Sequence, residues 1–404
     1  KVVLDCSLNH VHPRHFAFQD IVEKGEKSEY KDWFTVFDYP VRFLHRPHLY
    51  ANTYKVGWDG NAEEYKTYLE KTFKETKVPV EVVDDDGPII EPTFKAWWGV
   101  PDMPKINFKN DGARQWALDV TEHWIKNFDI DGWRMDVAKE LDFSFWKDFR
   151  DVAYSAKKDI LLISEIFGDT SQWLQGERFD GTMNYSFRET MTDYFATKRI
   201  DNKEFANSLA NLYSMYSFEA LSSCQNLLSS HDVKRFLNRC GANTDGMFGA
   251  IFLQATFPGI AGIYYGDEIG LGGADDPFNR EPFPWESEDK WNKDLLKFTS
   301  ELMNIKTSQP ILRYGNFEMV TYDDNYVIFR RVLNDESLLC IVNRDLNNKD
   351  IELNTNAHSV DIVYGDCTIE LDSGKLKITD IADNFGLIIK AVSYTHLTLP
   401  TNCV

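Results

Sequence analysis

Between residues 111 and 310 the sequence alternates segments of helical period with short apolar runs, and nothing else in it constrains the fold as tightly. "DGARQWALDVTEHWIKNF" places Trp116, Val120, Trp124 and Phe128 on one helical stripe, with Asp111 positioned to cap its start. "DIDGWRMDVA" follows as a strand, "FSFWKDFRDVAYSA" as a helix and "DILLISEIF" as a strand. "FDGTMNY" reads as a short strand, and residues 188 to 216 are mostly helical. "LSSCQNLLSSHD" holds a strand, "MFGAIFLQATF" a helix, "AGIYYGDE" a strand, and "WNKDLLKFTSELMNIKTSQP" a closing amphipathic helix. Strands separated by helices of this length predict βαβ units and a parallel sheet. With residues 1–9 added, six strands are expected, near 1–9, 129–137, 160–167, 179–185, 224–231 and 261–267.

Two regions break this rhythm. About a hundred residues after the first strand, rich in aromatics, His and Pro ("WFTVFDYPVRFLHRPHLY"), carry no βα pattern. A structureless loop of that length does not suit a compact domain, so an inserted subdomain is expected at about 11–110. After residue 310 the period changes to two. "FEMVTYDD", "YVIFRRVL", "SLLCIVNRD" and "GLIIKAV" predict an antiparallel β-sandwich over 311–391. The last residues, 392–404, do not continue that pattern and are read as a tail foreign to the fold.

The strand ends carry the chemistry. In a strand, residues two apart share a face, so Arg134 and Asp136 point one way while Trp133 and Met135 point the other. Asp5, Ser7 and Asn9 likewise share a face of the first strand. The third strand ends in Glu165, and the fifth ends in His231 and Asp232. One such pair is as well explained by a buried ion pair that fixes strand registry. Four strands ending this way point to the C-terminal rim of a parallel barrel, where active sites sit. Arg134 is expected to hold Asp136, and Asp5 with it; an adjacent Arg suits a carboxylate that must stay charged to act as a nucleophile.

Composition narrows the partners. The 404 residues carry 44 basic and 64 acidic side chains, a net charge of −20. Such a chain repels nucleic acid and anionic membranes and leaves a neutral substrate such as a sugar open. No apolar run reaches the roughly 18 residues of a membrane span. The six cysteines show neither CxxC nor metal-ligand spacing and are read as reduced, which leans towards a cytoplasmic protein. The His residues of the insert, His12, His15, His45 and His48, with Asp20 and Asp38, match no zinc-ligand pattern, and no dinucleotide fingerprint is present.

Taken in order, "DCSLNH", "DGWRMDVAKE", "SEIF" and "SSHD" resemble the four signature segments of the α-amylase family of glycoside hydrolases. "MPKIN" at 103–107 resembles a motif of its neopullulanase, cyclomaltodextrinase and maltogenic amylase subgroup, and "YYGDEIGLGGADDPFNREPFPW" the segment after the last barrel strand. The resemblance covers about residues 1–310. It implies a (β/α)8 TIM-type barrel lacking its first two βα units, with the inserted subdomain after the third strand and the antiparallel β domain behind. Over 1–310 this is the catalytic region. It further implies Asp136 as nucleophile, Glu165 as general acid/base and Asp232 as the third acid. Arg134, His10 and His231 would position the sugar, Asp5 and Asn9 would support Arg134 and the strand end, and Lys139 and Glu140 would contact the leaving-group side. Two ionised acids near Glu165 would help it hold a proton. No cofactor is required. A structural calcium ion near Asn9 and acids of the insert is an expectation of the same kind, and a homodimer is left open for the parent protein.

The resemblance is imperfect. Ser164, Phe167 and Lys139 stand where the subgroup usually has Gly, Trp and Asn, so the preferred glucan is left open. The expected activity is retaining cleavage of α-1,4-glucosidic bonds in maltooligosaccharides, cyclodextrins or pullulan. Transfer to a sugar acceptor through the same intermediate is the near alternative, and a non-catalytic binding or partner subunit the distant one. The chain opens in mid-strand at "KVVLDCSLNH", so two strands and any N-terminal module are expected upstream, and activity of the shortened chain is left open. Trp97 and Trp98 are open between sugar stacking and insert core.

Overall fold

The structure, a computed structural model, describes residues 1–56, 61–345, 349–382 and 385–392. The tail expected at 392–404 lies outside the described residues from 393 on, and residue 392 itself closes a strand. The chain forms two compact units. One is Lys1–Glu165 with Glu177–Phe179; the other is Ile166–Gly176 with everything from Asp180 on.

In the first unit, β1 (Val3–Cys6) is followed by α1 (Phe16–Lys24), β2 (Phe43–His45), α2 (Ala62–Thr76), β3 (Val80–Val82) and β4 (Ile90–Pro92). Then come α3 (Asp111–Phe128), β5 (Gly132–Met135), α4 (Phe143–Ala156) and β6 (Leu161–Ser164). β5 lies between β1 and β6 with all three parallel, Asp5 opposite Arg134 and Met135 opposite Ser164. The alternation expected of "GWRM" is present: Trp133 and Met135 are buried, while Arg134 is only partly so. Gly132 lets β5 and β6 approach, because a Cβ there would sit 2.6 Å from the Leu161 carbonyl oxygen. Helix α3 is capped one residue earlier than expected. Asn110, extended at φ −88°, accepts the Ala113 amide, and Asp111 is the first helical residue.

The expected insert has a core of its own. β2 pairs parallel with β3 and antiparallel with β4, and Phe18, Val41, Phe43, Leu69 and Phe94 bury together beneath them. α2 starts with a capping box in which Asn61 and Glu64 satisfy each other's backbone amides.

In the second unit, β7 (Gly181–Thr182), α5 (Tyr185–Met191), α6 (Asn202–Ser214), α7 (Phe218–Ser223), β8 (Gln225–Leu227), α8 (Phe236–Arg239), α9 (Asp245–Thr256) and β9 (Ile260–Gly262) continue the βα order. Met183 bridges to Gln225 in parallel, and β8 pairs parallel with β9. α9 is buried nearly all round, as its unbroken apolar sequence requires. After α10 (Lys293–Ser308) and α11 (Pro310–Tyr314) come β10 (Asn316–Tyr322), β11 (Val327–Leu333), β12 (Glu336–Val342), β13 (Ile351–Asn354), β14 (Ser359–Tyr364), β15 (Thr368–Asp372), β16 (Lys375–Thr379) and β17 (Gly386–Val392). They form a five-stranded sheet in the order β10-β11-β12-β17-β14 and a three-stranded sheet in the order β13-β16-β15. Ile328, Ile341 and Ile389 from the first sheet and Ile351, Leu376 and Ile378 from the second share one core, the sandwich that the two-residue period implied. Among the described residues no helix is long and apolar enough to cross a membrane.

Candidate functional site

In the first unit the parallel register brings the charged strand ends together. Beyond the strands the ladder continues, with the Asp136 amide donating to Cys6 O (3.0 Å) and the Glu165 amide to Met135 O (2.9 Å). Asp136 and Glu165 therefore emerge at one level. Arg134 meets all three neighbouring carboxyls. Its Nη1 lies 2.6 Å from Asp5 Oδ1 and 3.0 Å from Asp136 Oδ1, and its Nη2 lies 2.6 Å from Glu165 Oε1. Burial alone would lower the pKa of Arg134; Glu165, Asp5 and Asp136 outweigh it and the net direction is up.

Besides the acids expected near it, Glu165 has the Arg134 guanidinium at 2.6 Å. The second oxygen of Glu165 accepts the Val137 amide at 3.1 Å. Val137 holds that amide in place from a left-handed conformation (φ +40°), an outlier for a β-branched residue directly after Asp136. Sequence pattern carries no signal for Val137.

The remaining expected residues of this unit fall into two groups. His10 is half-buried, 3.2 Å from Asn9 Nδ2 and stacked on Trp97 (centroids 5.2 Å apart, planes 12°). Burial pulls its pKa down, while Asp136 and Asp102 oppose the shift. Asn9 is 1% exposed, and among the described residues its Oδ1 has no hydrogen-bond partner. Glu140 is engaged by Lys105 of "MPKIN" at 2.6 Å, so this motif reaches the expected leaving-group side. Lys139 lies with Glu140 in the 3-10 turn Ala138–Glu140. Calcium needs six to eight oxygens. Asn9 Oδ1 is one buried candidate, but among the described residues no group of three or more His, Cys, Asp or Glu side chains is gathered that could hold a metal.

In the second unit, His231 and Asp232 follow β8. His231 Nε2 lies 3.1 Å from Asp232 Oδ2, and the Asp232 amide donates to Ser230 Oγ at 3.2 Å. Two residues not singled out in the sequence hold this turn. Asn279 Nδ2 donates to His231 O (2.9 Å) and Val233 O (3.1 Å), and Arg280 donates through Nε to His231 O (2.9 Å) with Nη2 3.5 Å from Asp232 Oδ1. Both lie in the quoted segment "DDPFNREPFPW", which was the available signal. Beneath the turn, buried Asp267 accepts Ser229 Oγ at 2.9 Å beside Arg235. Burial pushes the Asp267 carboxyl up to about 7 against the opposing pull of Ser229 and Arg235.

Chemically, the first unit offers three carboxyls within the span of one guanidinium: Asp5 exposed, Asp136 partly buried and Glu165 enclosed. The second offers an acid presented by a histidine and an arginine.

Comparison with known proteins gives the following. The model of the alpha amylase catalytic domain matches residues 93–311. A cyclomaltodextrinase of Thermoanaerobacter pseudethanolicus (strain ATCC 33223 / 39E) is 32% identical over 355 residues, 88% of this chain and 54% of that protein. Neopullulanase 2 of Thermoactinomyces vulgaris is 34% identical over 345 residues, 85% of this chain and 51% of the relative. Among solved structures, the debranching enzyme of Nostoc punctiforme superposes with a TM-score of 0.79 at 27% identity, covering 96% of this chain and 76% of the other. The ligand-free cyclic alpha-maltosyl-(1→6)-maltose hydrolase of Arthrobacter globiformis gives 0.75 at 28%, covering 97% and 76%. The chain spans about half the length of the curated relatives it matches.

Proposed function

We propose, from the premise that this chain belongs to the α-amylase family, that it cleaves α-1,4-glucosidic bonds in maltooligosaccharides, cyclodextrins or pullulan with retention at the anomeric carbon. Asp136 attacks that carbon, Glu165 protonates the departing oxygen and then deprotonates the incoming water, and Asp232 is the third acid, binding sugar hydroxyls. Arg134 fixes the nucleophile, with Asp5 and Asn9 supporting Arg134 and the strand end; His10 and His231 line the sugar; Lys139 and Glu140 face the leaving group. The supporting observation is the single guanidinium that gathers Asp136, Glu165 and Asp5 at the ends of adjacent parallel strands. Retention requires two carboxyls about 5–5.5 Å apart, one ionised and one protonated. Glu165 therefore has to carry a proton when the glycosidic oxygen departs. The names of two relatives, a cyclomaltodextrinase and a neopullulanase, support this reading.

The test is product analysis of the full chain with maltotriose, a cyclodextrin and pullulan, beside the Asp136→Asn variant. The proposal expects shorter sugars of retained configuration, and a rate loss on the order of thousands or more in the variant with its fold intact. An undiminished rate in Asp136→Asn removes the nucleophile assignment. Products longer than the substrate would identify transfer through the same intermediate.

A further inference from the structure

The inserted subdomain carries a concavity away from the acidic strand ends. It has a volume of about 510 Å³ and is lined by Tyr65, Tyr68, Pro92, Trp98 and Pro101, with Glu91 among them. That volume suits a small-molecule site, for which about 300–1,000 Å³ is usual. Tyr65 and Tyr68 stack with centroids 6.0 Å apart and planes at 17°. Trp98 is 84% exposed, the most exposed large apolar side chain among the described residues. Its backbone is left-handed at φ +52°, a conformation that bulky residues rarely adopt, while Gly99 beside it takes φ +75° without strain. Folding gains little from an indole left in water, and strain held at such a place points to a ligand.

We infer that this groove is a glucan-binding platform, on which α-linked glucose units lay their C–H faces against Trp98 and Tyr68, whose ring is backed by the buried Tyr65. The inference rests on the sugar-cleaving reading above and extends it to a second binding surface. Two observations select a neutral sugar as occupant. The first is the lining. Aromatic rings and prolines offer flat apolar faces, Glu91 offers an acceptor for sugar hydroxyls, and none of the described lining residues is cationic, which disfavours an anion. The second is continuity. Trp98 packs beside Trp97 (5.5 Å, 30°), and Trp97 stacks on His10, one of the candidate sugar-contacting residues. Two neighbouring indoles thus join the groove to the candidate site, so a chain of several glucose units can occupy both.

The experiment uses the full chain in the Asp136→Asn background, which prevents turnover, labelled with 5-fluorotryptophan. The Trp98 fluorine resonance is assigned by its loss in Trp98→Phe. Titration with maltoheptaose is expected to shift that resonance to saturation. Trp98→Ala is expected to raise the Kd for maltoheptaose about tenfold, the effect of removing an aromatic anchor, with an unchanged circular-dichroism melting curve because the side chain is exposed. A Trp98 resonance that stays put at saturating maltoheptaose, or an unchanged Kd in a folded Trp98→Ala, overturns the platform. Failure of the sugar-cleaving reading is recognised separately: the chain with Asp136 intact then releases no sugar from any α-glucan, whatever the Trp98 resonance does.

Discussion

Replacing Arg134 by Met isolates what the guanidinium contributes, because Met keeps the length of the side chain and removes only the charge and donors. The three ion pairs are unequal. Asp5 is 61% exposed and Asp136 25%, so their pairs with Arg134 are partly screened and together contribute no more than about 1 kcal/mol. Glu165 is 5% exposed, and stripping a buried carboxylate of its cation costs about 3–5 kcal/mol. The expected loss in Arg134→Met is therefore about 4 kcal/mol, most of it from stranded Glu165. Adding Glu165→Gln removes the stranded charge while keeping an acceptor for the Val137 amide, so the double variant should recover most of the loss. Because the chain forms two compact units, one global midpoint would mix them. The assay is urea-dependent hydrogen exchange read from peptides covering β1, β5 and β6. A loss under about 1 kcal/mol in Arg134→Met, or no recovery in the double variant, would refute the reasoning, since the cluster would then behave as an exposed ion pair.

Other expectations follow from the second unit. Asp267 titrates near 7 when folded, against about 3.9 unfolded, so the stability its protonated form contributes is fully present below about pH 4 and is lost as pH rises through about 7. Melting temperature should therefore fall between pH 5 and pH 8 more steeply in the wild type than in Asp267→Asn, and equal slopes would contradict this. Asn279→Ala, which takes a donor from the carbonyls of His231 and Val233 and leaves Arg280 on the former, should lower kcat on maltotriose about tenfold to a hundredfold, alongside a stability loss of about 1–3 kcal/mol because Asn279 is buried. An unchanged kcat would show that the turn holds its own shape. Arg331 is fully buried and donates to the carbonyls of Thr256 (2.7 Å), Leu312 (3.0 Å) and Gly315 (2.7 Å). Arg331→Met should cost at least about 3 kcal/mol in unfolding experiments, because three buried acceptors lose their donor.

How far the sequence disclosed this differs from residue to residue. The alternation of Trp133 and Met135 with Arg134 and Asp136 was legible because strand geometry leaves two faces only, and burial agrees with it. The strands of the insert were not. β2, β3 and β4 have three residues each, too short for any period to register. The start of α3 was misplaced by one residue because Asn110 and Asp111 cap equally well, and only the extended backbone of Asn110 decides between them. Arg134 was paired with Asp136 and Asp5 from spacing and face. Its contact with Glu165 depends on the β5–β6 register, which no single strand encodes. Asn279 and Arg280 reach the His231–Asp232 turn across nearly fifty residues of chain, a matter of loop path. The strain at Val137 and Trp98 lies in the backbone and leaves no mark on pattern or composition.

The central claim is that Asp136 forms a covalent bond to sugar. Its most direct test is mass spectrometry of the full chain after incubation with a slow-releasing 5-fluoro-α-glycosyl fluoride, followed by peptide mapping. The account predicts one added glycosyl mass, on the peptide carrying "GWRMDVAKE" and on Asp136 within it. A label on Glu165 or elsewhere, or turnover of a natural α-glucan by a chain that never acquires the label and inverts the anomeric configuration, would contradict it.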